Sequence, residues 1–124
     1  MAKILAVDDS KLMRELVSAS LTTQGHEIVT ANDGQEALDY AVNNSVDLVI
    51  TDVNMPNLNG INLLKKLRKL ANYSETPILM LTTEDAQYRK DKARTMGANG
   101  WLTKPFDPPR LQTAVEKLLG KVTA

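Results

Sequence analysis

Short, uninterrupted runs of apolar residues recur along the chain and alternate with longer amphipathic segments. A continuous apolar run is typical of a strand that is covered on both faces of a sheet. Five such runs predict five strands, at residues 4–7, 28–29, 48–50, 78–81 and 101–102.

The segments between the strands carry apolar residues at helical spacing. Residues 86–96 are basic and carry few apolar side chains, yet they fill the gap between two strands and precede Gly97, so a helix is predicted there too. Asp107 is predicted to cap the last helix, ahead of Pro108 and Pro109. The four clear stripes are Leu12, Met13, Leu16, Val17 and Leu21; Ala37, Leu38, Ala41 and Val42; Ile61, Leu64, Leu67 and Leu70; and Leu111, Val115, Leu118 and Leu119.

Five strand–helix cycles with short connections predict a doubly wound α/β fold, in which helices cover both faces of a parallel sheet. A chain of 124 residues fits one domain. We therefore expect residues 1–124 to form a single domain without an attached output domain.

Composition excludes several classes of function. The absence of cysteine excludes a disulfide framework and a thiol nucleophile. Fifteen basic and fifteen acidic residues give no net charge, which argues against nucleic-acid binding. No apolar run is long enough to cross a membrane, and the first strand leaves no room for a signal peptide. A cytoplasmic, monomeric domain is expected.

Polar side chains follow four of the five predicted strands. In an open parallel sheet, ligands bind beyond the carboxyl ends of the strands, near the point where the strand order reverses. The predicted winding brings carboxylates, hydroxyls and one ammonium to that edge. The residues concerned are Asp8 and Asp9, Asp52, Thr82 and Thr83, and Lys104.

The three carboxylates predict a metal site. Clustered acids repel one another unless a cation relieves them. Mg²⁺ suits a shallow site with oxygen ligands and several waters. Its charge and that of Lys104 would cancel the three acids, so the site could accept a dianionic phosphoryl group. Asp52 is then the candidate nucleophile, which would form an acyl phosphate.

Each of these residues also has a purely structural interpretation. Asp8 and Asp9 could help cap the first helix, Thr82 could be a turn hydroxyl, and Lys104 could be a solvated surface residue. These interpretations explain each residue alone, but they do not explain why such residues follow four separate strands.

Four motifs at the strand ends resemble those of bacterial response-regulator receiver domains, in particular single-domain chemotaxis receivers of the CheY-like type. The resemblance covers residues 3–119 and implies a flavodoxin-like (CheY-like) sheet in the order 2-1-3-4-5 with five helices. The motifs are AVDDS at residues 6–10, TDVNMP at 51–56, LTT at 81–83 and KPF at 104–106.

The resemblance implies a role for each acidic residue. Asp52 would be the phosphoacceptor, which receives a phosphoryl group from a phosphohistidine of a sensor kinase. Asp9 and Asp52 would bind Mg²⁺ directly, together with the backbone carbonyl of Asn54, and Asp8 would act through water.

The resemblance also assigns the phosphoryl-binding residues. Lys104 would pair with the phosphoryl group, and Thr82 would move to hydrogen-bond it beside Thr83. The peptide bond between Lys104 and Pro105 would be cis.

Further positions would control switching and the phosphoryl lifetime. Asn54 and Glu84 stand where the family tunes hydrolysis of the acyl phosphate. Trp101 stands where the family has a Tyr or Phe ring that turns inward on activation, but it is bulkier than Tyr and lacks the hydroxyl. Thr83 replaces a small residue and could narrow access to the phosphoryl group.

The implied function is that of a stand-alone regulator in a two-component, chemotaxis-type system. A CheA-like histidine kinase would phosphorylate it, and the face formed by helix 4, strand 5 and helix 5 would bind an output protein such as a flagellar switch protein. Helix 4 is unusually basic for such a surface. The alternative is a phosphate sink or phosphorelay intermediate that binds no motor.

Two other classes of protein share parts of the pattern. Haloacid-dehalogenase-type phosphatases use a strand-end Asp and Mg²⁺, but they need a second Asp where this chain has Asn54. No turnover of an external substrate is therefore expected. A flavodoxin-type flavin carrier needs a neutral phosphate loop, whereas Asp8 and Asp9 would repel a phosphate unless a metal intervened.

Two further sets of polar residues are predicted to lie at the surface. Lys65, Lys66, Arg68 and Lys69 are predicted to form a solvated face of the third helix. His26 opens a strand with no second ligand beside it, so it is predicted to lie at the surface.

Overall fold

Five strands alternate with five α-helices in the computed structural model, which describes residues 1–123 and the side chains of residues 1–120. A short 3₁₀ helix (Ala71–Tyr73), which the apolar pattern did not predict, precedes the fourth strand. In chain order the elements are β1 (Lys3–Val7), α1 (Lys11–Thr22), β2 (Glu27–Ala31), α2 (Gly34–Asn43), β3 (Leu48–Thr51), α3 (Gly60–Arg68), β4 (Ile78–Thr82), α4 (Gln87–Thr95), β5 (Gly100–Thr103) and α5 (Pro108–Thr123).

The sheet is parallel throughout, with the strand order β2-β1-β3-β4-β5, which confirms the predicted fold. Its order reverses between β1 and β3, where Val7 pairs with Thr51. Asp8 and Asp52 are the residues that follow this last pair. The register therefore puts the two carboxylates side by side at the carboxyl edge of neighbouring strands.

Two apolar clusters cover the two faces of the sheet. Alternate residues of a strand point to opposite faces, so Leu5 of β1 belongs to the cluster beneath α2, α3 and α4, whereas Ile4 belongs to the cluster beneath α1 and α5. Burial on both faces explains the continuous apolar runs that predicted the strands.

Side-chain caps mark where most helices begin. Ser10 accepts a hydrogen bond from the Met13 N–H at the start of α1, and Asp107 accepts one from the Arg110 N–H at the start of α5. The fourth helix has no side-chain cap, and Ala93 is its only fully buried residue. It forms as predicted, but little apolar surface holds it to the sheet.

The apolar stripe of α1 is narrower than predicted. Val17 and Leu21 are buried against the sheet, whereas Leu12 is 64% exposed and Leu16 is 46% exposed. Positions 12 and 16 lie on one face of the helix and positions 17 and 21 on another, and only the second face packs on the sheet. The expectation that Leu12 and Leu16 belong to the packed stripe is wrong.

Two polar side chains that were predicted to lie at the surface, those of Arg68 and His26, are withdrawn from it. Arg68 is half-buried and donates hydrogen bonds to the carbonyls of Tyr73, Thr76 and Gly97. His26 is buried, and both of its ring nitrogens have partners: Nδ1 accepts the Ala2 N–H, and Nε2 lies 2.8 Å from the Glu116 carboxylate. Both side chains find their partners through tertiary contacts rather than through sequence neighbours.

No helix within residues 1–123 is long and apolar enough to span a membrane.

Candidate functional site

Two carboxylates and one ammonium form a buried ion-pair cluster at the carboxyl edge of the sheet. The Nζ of Lys104 lies 2.6 Å from Asp8 Oδ2 and 3.0 Å from Asp52 Oδ2. All three side chains are about nine-tenths buried. Lys104 follows β5, so its long side chain reaches past the end of β4 to the two acids.

The local backbone orients the Asp52 carboxylate. Its Oδ1 accepts hydrogen bonds from the N–H groups of Val53 at 2.6 Å and Asn54 at 3.3 Å. Its Oδ2 accepts from Lys104. Hydrogen bonds to both oxygens hold the carboxylate in one orientation at the open edge of the sheet.

Two opposing effects act on the Lys104 ammonium. Burial by itself lowers the pKa of Lys104, but hydrogen bonds and attraction from Asp8 and Asp52 outweigh it, and the pKa is raised above 10.5. The ammonium therefore stays charged at neutral pH.

The donor set fits a hard divalent cation. Asp8, Asp9 and Asp52 each offer a carboxylate oxygen, and these oxygens lie within 4.8 Å of one another. Asp9 is exposed, so the cluster opens to solvent. Three carboxylates and one ammonium leave a charge of −2, and such oxygen ligands suit Mg²⁺.

Thr82 is the last residue of β4 and therefore lies at the same edge of the sheet as the acidic cluster. Thr82 is fully buried, and its Oγ1 accepts the Glu84 N–H at 3.2 Å. Thr83 is exposed, and the carboxylate of Glu84 lies 3.5 Å from Arg89. Thr82 thus stands beside the site while it holds the start of the loop that leads into α4.

Trp101 binds the same loop from β5. Its indole N–H donates to the Glu84 carbonyl at 3.0 Å, and its ring is half-buried against the core. The indole nitrogen is a hydrogen-bond donor even though the side chain lacks a hydroxyl.

The peptide bond between Lys104 and Pro105 is cis, as the family resemblance implied.

Arg14, which the sequence did not indicate as a site residue, also contacts the acidic cluster. Its guanidinium donates to the backbone carbonyl of Asp8 at 2.8 Å, and Ser10 donates its N–H to Asp8 Oδ1 at 2.9 Å. These bonds hold the β1–α1 loop, which carries Asp8 and Asp9. The one available signal was the position of Arg14 in the first turn of α1.

Comparison with known proteins places this arrangement in a family. The model of the response regulator receiver domain matches residues 4–116. A chemotaxis protein CheY homolog of Campylobacter jejuni is 41% identical over 95% of this chain and 92% of its own length. The crystallised chemotaxis response regulator CheY4 of Vibrio cholerae is 46% identical, with a TM-score of 0.91 over 95% of this chain and 98% of that one.

These matches identify the class of protein, which is a signalling domain of two-component systems. The chain belongs to the response regulator receiver domain family and is CheY-like within it. Proteins of this kind interact with kinases and output proteins and bind Mg²⁺ in their active site. The receiver domain of sensor histidine kinase PA1611 from Pseudomonas aeruginosa PAO1 has a magnesium ion coordinated in its active site cleft; it is 27% identical, with a TM-score of 0.88 over 96% of this chain and 98% of that one.

Proposed function

We propose that this chain is a stand-alone chemotaxis response regulator that accepts a phosphoryl group on Asp52. The buried cluster of Asp8, Lys104 and Asp52 carries the proposal. One carboxylate is oriented toward the open edge of the sheet, with a lysine and two further acids beside it. Relatives named as chemotaxis proteins support the signalling pathway.

The metal ligands proposed are Asp9, Asp52 and the backbone carbonyl of Asn54, with Asp8 acting through water. When bound, Mg²⁺ would supply positive charge that stabilises the phosphoryl oxygens. The protein's own contribution is to orient the Asp52 carboxylate, because the two backbone N–H groups that follow it both donate to Oδ1.

Phosphoryl transfer is proposed to begin with attack of an Asp52 oxygen on the phosphorus of a kinase phosphohistidine. The P–N bond breaks, and its electron pair returns to the imidazole, which takes up a proton. Lys104 exchanges its contact with the Asp52 carboxylate for a phosphoryl oxygen. Hydrolysis of this acyl phosphate, tuned by Asn54 and Glu84, is the only turnover that we propose, and we propose no turnover of external substrates.

The switch is proposed to run through the loop after β4. When Thr82 turns its hydroxyl toward the phosphoryl group, it releases the Glu84 N–H that it now accepts. The Glu84 carbonyl is the acceptor of the Trp101 indole, so movement of this loop reaches β5 directly. A two-state equilibrium of the loop and Trp101 is then shifted by phosphorylation.

The output surface is proposed to be the face formed by α4, β5 and α5. A cavity of about 260 Å³ lies between α4 and β5, and Lys90, Arg94, Ala98 and Trp101 are among its lining residues. Tyr88 stands exposed on α4 nearby. A CheA-like kinase and a flagellar switch protein are the proposed partners.

Intact-mass measurement after incubation with a small phosphodonor tests the proposal. Wild type with Mg²⁺ should gain one phosphoryl group, and the adduct should be lost without Mg²⁺ and in Asp52→Asn. Asp39→Asn, which changes an exposed aspartate on α2, should still form it. An adduct that persists in Asp52→Asn contradicts the assignment. A phosphorylated protein that binds no switch peptide is a phosphate sink or relay intermediate.

A further inference from the structure

We propose that the start of α2 is a positioning element for the phosphoacceptor loop, the segment of residues 52–59 between β3 and α3. Asn57 donates its side-chain N–H to Asp33 Oδ2 at 2.7 Å. The other oxygen of Asp33 accepts the Glu36 N–H and caps α2. One carboxylate therefore joins the first turn of α2 to the middle of the loop. The inference rests on the function proposed above.

A second contact lies beside this hydrogen bond. The loop backbone rests directly on Gly34, where an added Cβ would stand 2.1 Å from the carbonyl oxygen of Leu58. No side chain fits in that space. Asn57 also has a φ of 67°, a left-handed conformation that Asn tolerates better than most residues. The loop is thus shaped to meet α2 at two consecutive residues.

The two ends of the same loop meet beside the phosphoacceptor. The Gly60 N–H donates to the Val53 carbonyl at 2.8 Å, and a Cβ on Gly60 would stand 1.9 Å from the Asp52 carbonyl oxygen. Val53 and Asn54 direct their N–H groups at Asp52 Oδ1. Anchoring at residues 57 and 58 therefore limits how far residues 53 and 54 can move.

Metal binding should be sensitive to this anchoring. Mg²⁺ demands near-ideal octahedral geometry at about 2.1 Å, so loop displacements that leave the fold intact still misplace its ligands. Outer residues that orient metal ligands commonly change affinity by about 10- to 100-fold when they are mutated. The bond between Asn57 and Asp33 is exposed, so the lower end of that range or less is expected.

Calorimetric titration with Mg²⁺ alone tests the inference. Asn57→Gly keeps the left-handed backbone accessible but removes the donor, and Asp33→Ser keeps an oxygen for the cap of α2 but not the second acceptor. Each variant should bind Mg²⁺ about 3- to 10-fold more weakly, as loss of one hydrogen bond allows. The double variant should be no weaker than either single variant, because both remove the same bond.

The control is Asn44→Gly at the other end of α2. Asn44 donates to the Tyr40 carbonyl in an exposed hydrogen bond, so this variant loses a similar contact and gains the same flexible residue. It should leave the Mg²⁺ dissociation constant unchanged. Gly34→Ala, which pushes the loop away, should weaken Mg²⁺ binding further if it folds.

The outcomes separate this inference from the proposed function. If wild type neither binds Mg²⁺ nor forms a phosphoryl adduct, the proposed function fails. If wild type does both and Asn57→Gly loses only thermal stability, or Asn44→Gly weakens Mg²⁺ binding equally, α2 has a structural role alone and the inference is overturned. Additive effects of Asn57→Gly and Asp33→Ser would also overturn it.

Discussion

Two basic residues that are withdrawn from solvent, Lys104 and Arg68, lie at opposite ends of the sheet and have different kinds of partners. Lys104 meets two carboxylates, which raise its pKa despite burial. Arg68 meets three backbone carbonyls and the amide oxygen of Asn99, and burial lowers its pKa, with only a partial offset from Glu75.

The difference separates a binding site from a structural clamp. Carboxylates can exchange a lysine for a metal ion, and the lysine can then meet another anion. The backbone carbonyls around Arg68 are fixed by the fold and lose this donor when the guanidinium is removed. Arg68 also lies against Gly97, whose φ of 108° favours glycine and where an added Cβ would stand 2.8 Å from Arg68 Nε.

Arg68→Leu should have the largest effect on stability. It leaves the carbonyls of Tyr73, Thr76 and Gly97 without their donor, and we expect a loss of about 3 kcal/mol in the free energy of unfolding by urea. Lys66→Ala, on an exposed position of the same helix, should stay within about 0.5 kcal/mol. Mg²⁺ should stabilise Arg68→Leu only as much as it stabilises wild type, so the difference between the two proteins should not change; a smaller difference in Mg²⁺ would erase the contrast between the two cations.

Lys104→Met should have the next largest effect, and a conditional one. Without metal the variant leaves Asp8 and Asp52 side by side without a cation, and we expect a loss of about 2 kcal/mol. Saturating Mg²⁺ should recover most of it, and the variant should bind Mg²⁺ roughly tenfold more tightly because one repelling charge is gone. Urea unfolding with and without Mg²⁺ checks both; a loss that Mg²⁺ leaves unchanged would make Lys104 a clamp like Arg68.

Raising the pH should produce a smaller difference, between the free energies of unfolding of wild type and Lys104→Met. The folded pKa of Lys104 is raised, so its stabilising contribution is complete below pH 10.5 and is lost as the pH rises through the folded pKa. The free energy of unfolding should therefore fall more steeply in wild type than in Lys104→Met. Burial also raises the pKa of Tyr73, but that group acts equally in both proteins. Equal slopes would show that the two carboxylates do not favour the ammonium.

The smallest effect is expected for Lys90→Met. Lys90 lies 2.7 Å from Asp85, as close as Lys104 lies to Asp8, but 67% of the Asp85 side chain is exposed. Solvent screens such a pair, so the variant should lose no more than about 0.5 kcal/mol in the same urea experiment. A loss as large as that of Lys104→Met would mean that distance, not burial, sets the strength of these ion pairs.

The strands and the convergence of Asp8 with Asp52 were predictable because both follow from local patterns. Burial on both faces makes a strand continuously apolar, and a parallel sheet brings the residues after its strands to one edge. The strand order itself came from the family resemblance and was confirmed by the observed pairing. The roles of the site residues stay predictions.

Other features were decided by the tertiary structure alone. Arg68 has basic neighbours on both sides in sequence, yet it reaches Gly97, 29 residues away, whereas Lys66 stays in solvent. His26 is buried and contacts Glu116, 90 residues away. Local periodicity shows which face of an element is apolar. A polar side chain, in contrast, can be buried where distant backbone and side-chain groups satisfy its hydrogen bonds. Only the packed fold brings those groups together.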